Sequence, residues 1–192
     1  MRRSGLVLSL LLSLSVLSGC ATGYGQGQAA LRQGRFDEAA SYFEQVLAQD
    51  PGRTDALVGL GIARYKQGEF DQGAETLERV VAQSPDDSQA RLYLALDYIQ
   101  KQDAFRAEDQ LSALQGLKLD ARLAAQVTRA LDVLRSEPLT PPIRVFLATS
   151  LETQSELIQE LREARLQAER ARYFATSPSC IVVKHRGLLF CI

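Results

Sequence analysis

Histidine occurs once in the 192 residues, at His185 near the C-terminal end. Any Ser-His-Asp or Cys-His arrangement would have to be built around that residue alone. Cysteine occurs three times, at Cys20, Cys180 and Cys191, with no CxxC pair and no cluster at zinc-ligand spacing. The acidic residues are spread over solvated helix faces, and no pair stands out as an acid and its base. The sequence is therefore not expected to be an enzyme, and no cofactor or metal is expected. A charge of one sign is also missing: 22 basic against 23 acidic side chains give a net charge of −1. That balance offers nothing for nucleic acid or an anionic membrane surface to hold. Gly23-x-Gly25-x-Gly27 does not follow a strand, so it reads as a flexible tether over residues 20–27 and not as a phosphate loop. The one long apolar run, residues 4–18, falls short of the roughly 20 residues that a membrane-spanning helix requires.

That run has the length and flanks of a signal peptide: Arg2 and Arg3 precede it and small residues close it. It ends in Leu17-Ser18-Gly19-Cys20, which resembles the lipobox of bacterial lipoproteins. The resemblance implies that Cys20 carries the lipid, that residues 1–19 are removed, and that the acyl chains tie the protein to a membrane. Ala21 stands where an Asp favours inner-membrane retention, so the expected location is the outer membrane, facing the periplasm. The alternative is an ordinary secretory signal or anchor with an incidental cysteine.

An internal repeat follows. Residues 33–51 and 67–85, aligned at an offset of 34, are identical at ten of nineteen positions, including Gly34/Gly68, Phe36/Phe70, Ala40/Ala74, Glu44/Glu78 and Pro51/Pro85. The period and pattern resemble the tetratricopeptide repeat. Residues 54–87 carry Leu57, Leu60-Gly61, Gly68, Phe70, Leu77 and Pro85 at that family's positions, but have Arg64 where an aromatic is usual and Gly73 where alanine is usual. The copy before it matches in its second helix through Gly34, Phe36, Ala39, Phe43 and Pro51. The copy after it has Leu94-Ala95, Tyr98, Ala107 and Leu111 but no closing proline. The resemblance implies an all-α fold, with about three helical hairpins stacked as a short solenoid over residues 28–120.

Beyond residue 120 the period is lost but helical spacing continues. Leu123, Val127, Leu131 and Leu134 mark a capping helix over residues 121–135. Pro138 breaks it, and Thr140-Pro141 opens a long helix to about residue 174, with Ala148-Thr149-Ser150 as a candidate bend. Leu151, Ile158, Leu161 and Ala168 form a narrow apolar seam on that helix, suited to packing on the repeats or on itself, or to a coiled coil or partner. Residues 175–192 are an apolar tail. Residues 181–183 and 188–190 flank Lys184-His185-Arg186-Gly187 and suit a small hairpin, though an unrelated extension of the chain is an alternative. A turn at His185-Arg186 would set Cys180 opposite Cys191, although that pair lacks the Gly or Asn such turns prefer.

Function then rests on binding. In tetratricopeptide proteins the first helix of each hairpin lines a concave groove. The matching positions here are Val58, Ile62, Tyr65 and Lys66, then Leu92, Leu96, Ile99 and Gln100. Lysine and asparagine that grip a carboxylate in chaperone-binding members are largely replaced by aliphatic residues. The expected ligand is an amphipathic helix or extended apolar segment lying in that apolar groove; the alternative is that the chain's own C-terminal helix fills it. Together these features imply a lipid-anchored envelope scaffold that binds protein partners in an assembly or secretion complex. The alternative is a regulator of a cell-wall or exopolysaccharide enzyme, or an envelope enzyme.

Overall fold

A computed structural model of the chain describes residues 19–176, 182–185 and 188–191. Its helices are α1 (Gly19–Arg32), α2 (Phe36–Gln49), α3 (Thr54–Gln67), α4 (Phe70–Gln83), α5 (Ser88–Gln100), α6 (Ala104–Gln115), α7 (Ala121–Ser136) and α8 (Pro141–Thr176). The strands are β1 (Val182–His185) and β2 (Leu188–Cys191). The chain divides into two units, Met1–Leu151 and Glu152–Ile192.

In the first unit, α1/α2, α3/α4 and α5/α6 are three hairpins, and each second helix also packs on the first helix of the next hairpin. The turns inside the hairpins repeat bond for bond. Arg35 N–H donates to the Ala30 carbonyl, Glu69 to Arg64 and Asp103 to Tyr98, each at 2.9 Å and each 34 residues after the last. That bond closes a helix end when the residue before the donor is left-handed. The left-handed residues are Gly34 (φ 71°), Gly68 (φ 82°) and, in the third hairpin, Gln102 (φ 62°).

Side chains of the second helices enter spaces left by glycines. A Cβ on Gly61 would lie 2.5 Å from Leu77 Cγ, and one on Gly59 would lie 2.4 Å from Phe43 Cζ. The tether expectation for residues 20–27 is corrected on the same ground. Gly23, Gly25 and Gly27 lie within α1, the first helix of the first hairpin, and a Cβ on Gly27 would lie 2.8 Å from Phe43 Cε1. Each helical glycine costs about 1 kcal/mol relative to alanine, but the ring of Phe43, with no solvent exposure, needs the space above Gly27.

Polar contacts between successive hairpins also recur at 34 residues. Arg64 pairs with Glu44 (Nη2 to Oε1, 3.1 Å) and donates to Thr76 Oγ1 at 2.7 Å, while the Tyr98 hydroxyl donates to Glu78. Arg64 thus replaces the usual aromatic by making the same junction with a charged group. The side chains of Asp87, Asp103 and Asp120 cap α5, α6 and α7 by accepting from the amides of Ala90, Arg106 and Arg122. Helix α7 packs on α6 and buries Leu123, Val127, Leu131 and Leu134, which recur at helical spacing along one side.

Helix α8 begins at Pro141, where the missing N–H costs nothing, and is helical without a break through Ala148, Thr149 and Ser150. In the second unit, its residues 161–172 are exposed to solvent, so Leu161 and Ala168 of the apolar seam are not packed away. The strands pair with Val182 opposite Cys191 and His185 opposite Leu188. This register differs from the one that a turn at His185-Arg186 would give. Cys191 faces Val182 in the ladder, and Cys180 lies outside the described residues.

Two substitutions test this packing. Gln102→Gly relieves a left-handed non-glycine residue and is expected to raise stability by roughly 0.5–1 kcal/mol. Gly61→Leu forces a side chain into the space of Leu77 and is expected to cost roughly 1–3 kcal/mol. Urea unfolding midpoints measure both, and changes of the opposite sign would show that the hairpins are packed differently.

Candidate functional site

First helices of neighbouring hairpins lie side by side, α1 with α3 and α3 with α5, so their outward sides form one continuous face. The eight residues expected to line it fall on α3 and α5. Lys66 and Gln100 are half-buried. Val58, Ile62, Tyr65, Leu92, Leu96 and Ile99 are each at most 7% exposed. These side chains are gathered on one face but are not presented to water, which fits the alternative of a filled groove and not an open one. Helix α3 is buried from Ala56 to Ala63 and again at Tyr65, and α5 throughout residues 92–99. Helices that are apolar all round are found with neighbours on every side.

One such neighbour is identified by a hydrogen bond. Arg144 Nη1, in the first turn of α8, donates to the Gln100 carbonyl at 2.8 Å. Gln100 ends α5, where carbonyls lack helical donors and the helix dipole is negative. Leu147, Ala148 and Leu151 follow Arg144 at helical spacing, and all three are buried within the same unit. Tyr65 completes the apolar face through ring contacts with Tyr93 (centroids 5.5 Å apart, 72° between planes) and Phe70 (5.7 Å).

Behind this face lies a residue that the motifs did not mark. Asp97 has no solvent exposure, and neither carboxylate oxygen has a hydrogen-bond partner. It lies over Gly73, where a Cβ would stand 2.8 Å from Oδ2. Thirty-four residues earlier the same pair is Ala63 with Ala39. Side-chain volume has moved from the second helix to the first, which accounts for glycine where the pattern has alanine. Burial pushes the Asp97 carboxyl up to about 8, against the pull of Lys101 and with the help of Asp71. Lys101 itself pairs with Asp71 at 2.6 Å.

Other features offer less chemistry. A cavity of about 380 Å³ at the first turn is lined by Gly34, Arg35, Phe36, Asp37, Glu38 and Gln67, whose amide donates to Asp37. Among the described residues no three His, Cys, Asp or Glu side chains gather as a metal site, and no helix is long and apolar enough to cross a membrane. Cys20 falls in the first turn of α1, and its side chain is outside the described residues.

Residues 30–96 match the family described as tetratricopeptide repeat. No curated protein matches the chain. Among solved structures, the type III secretion chaperone SycD of Yersinia enterocolitica, in complex with a peptide of the translocator YopD, is 18% identical. The match covers 60% of this chain and 91% of that one at a TM-score of 0.57. A T3SS complex from Aeromonas hydrophila matches at 22% identity, 67% and 88% coverage and a TM-score of 0.59. The first TPR of Spaghetti (RPAP3), bound to the HSP90 peptide SRMEEVD, matches at 15% identity, 62% and 91% coverage and a TM-score of 0.56.

Asp97 gives the site a pH dependence of definite sign. The folded chain holds its proton to about pH 8, whereas the unfolded chain releases it near the ordinary 3.8. The stability gained by binding that proton is present in acid and is lost as pH rises between about 4 and 8. The Asp97 contribution to the urea midpoint is expected to decline across that window. The double variant Gly73→Ala/Asp97→Ala, which restores the alanine pair of the preceding junction, is expected to lose that component. The same pH profile in variant and parent would contradict the assignment.

Proposed function

We propose that this chain, which has the tetratricopeptide-repeat fold and matches that family over residues 30–96, is a lipid-anchored scaffold of the bacterial envelope, binding protein partners through the concave face of its repeats within an assembly or secretion complex. The observation that carries this reading is the composition of that face. Val58, Ile62, Leu92, Leu96 and Ile99 are aliphatic and contiguous on α3 and α5, with no catalytic group among them. Structural relatives hold peptides: SycD one from the translocator YopD, Spaghetti the acidic HSP90 peptide SRMEEVD. An aliphatic face suits an apolar segment in place of an acidic tail. The lipobox-like Leu17-Ser18-Gly19-Cys20 supports attachment through Cys20, and Ala21 supports an outer-membrane location facing the periplasm.

Two measurements check the proposal. Cys20→Ser is expected to abolish incorporation of a fatty-acid analogue and leave the precursor uncut, and continued labelling would remove the lipoprotein assignment. Photo-reactive residues at the half-buried Lys66 and Gln100 are expected to cross-link a discrete envelope protein in cells, and one at the exposed Glu75 on α4 is not. Cross-links from Glu75 alone would move the interface to the opposite side of the stack.

A further inference from the structure

Helix α5 has α4 and α6 against it and α3 beside it, which leaves the concave side as the one an open stack would expose. Every residue from 92 to 99 is nevertheless buried. Arg144 marks what lies there. Its guanidinium reaches the Gln100 carbonyl at 2.8 Å, and Gln100 is itself one of the eight concave positions. Leu147, Ala148 and Leu151 stand at +3, +4 and +7 from Arg144, with relative exposures of 0, 5 and 0%. Val145 and Phe146, between them, are 63 and 62% exposed. The start of α8 therefore buries a single stripe, ordered cation, aliphatic, small, aliphatic. An amphipathic helix anchored at i, i+3, i+4 and i+7 is one of the recurring ways that a groove takes a peptide.

We infer that the concave face of the third repeat is a helix-binding site now occupied by residues 144–151 of the same chain, and that its partner is an amphipathic helix of matching chemistry: a cation on its first turn and aliphatic or small residues three, four and seven positions on. This rests on the reading that partners bind the concave face, and it specifies their sequence pattern and the competitor they displace. The cation is selected by the carbonyl end of α5, which favours positive charge. The aliphatic positions are selected by Leu92, Leu96 and Ile99. A partner must displace the internal copy, so the affinity observed is reduced by the fraction of molecules in which that copy is closed.

The test uses the full chain and a fluorescent peptide with the sequence of residues 141–159. Leu147→Glu/Leu151→Glu weakens the internal copy and leaves α3 and α5 unaltered. The peptide is expected to bind this variant roughly tenfold more tightly than it binds the unaltered chain. A peptide with alanine at the position of Arg144 is expected to bind several-fold more weakly. Equal binding to both chains, or none to a variant of unchanged helicity, overturns the inference. Should the variant fail to fold, amide exchange in the unaltered chain decides. Exchange of residues 145–151 ahead of residues 92–99 supports a displaceable occupant, and exchange of both segments together overturns it. Cross-links from Lys66 and Gln100 to a partner, combined with failure of the peptide, would leave the scaffold reading standing and remove this one.

Discussion

A large side chain seated on a glycine of the facing helix is the contact on which the repeat stack depends. Phe43 has no solvent exposure and lies between Gly27 of its own hairpin and Gly59 of the next, closer to both than any Cβ would allow. The contact joins neighbours within a hairpin and between hairpins at once. Helices approach this closely only where one of them lacks a side chain, because packed interiors have few voids and little tolerance for overlap. One junction on, the volumes are redistributed: Leu77 stands in the place of Phe43 and Tyr93 in the place of Gly59. A smaller knob meets a larger neighbour, and Leu77 keeps its own glycine at Gly61.

The same exchange of volume explains the buried polar group. At the junction of the second and third repeats Asp97 takes the space that Gly73 vacates, without a hydrogen-bond partner for either oxygen. A buried carboxylate in such a place is favoured in its neutral form, since an unpaired charge in the interior is costly. The tightly packed first helices in turn fix the concave face, whose aliphatic residues are shut from water and whose third repeat is anchored to the start of α8. A partner on this face, as proposed, would therefore compete with the start of α8 as well as meet the chemistry of its side chains.

Much of this was legible in the residues, because the 34-residue period fixes positions one by one. Gly34, Gly68 and the matches around Phe43 and Leu77 place the turns and knobs without a structure. The first helix was not legible, since three glycines in five residues lower helix propensity. Only the position of Gly27, 34 residues before Gly61, signalled that these glycines serve packing. Gly73 was visible as a departure from the pattern and Asp97 was not, and their compensation is a contact between helices, which no local pattern contains. A filled concave face was legible only as an alternative, because the bond that marks it joins Arg144 to the backbone carbonyl of Gln100, 44 residues away. The observed register, Val182 with Cys191, differs from the one in which Cys180 would face Cys191.

A double-mutant cycle at Phe43 and Gly59 tests the glycine-knob account most directly. Gly59→Ala alone is expected to destabilise the chain by roughly 1–3 kcal/mol, because its methyl group meets the Phe43 ring. Phe43→Leu alone leaves a cavity. The two together reproduce the smaller knob of the next junction, and the account predicts that they recover about 1 kcal/mol or more relative to the sum of the single changes. Additive effects within about 0.3–0.5 kcal/mol would show that the two residues do not meet as described and would contradict the packing on which the stack is built.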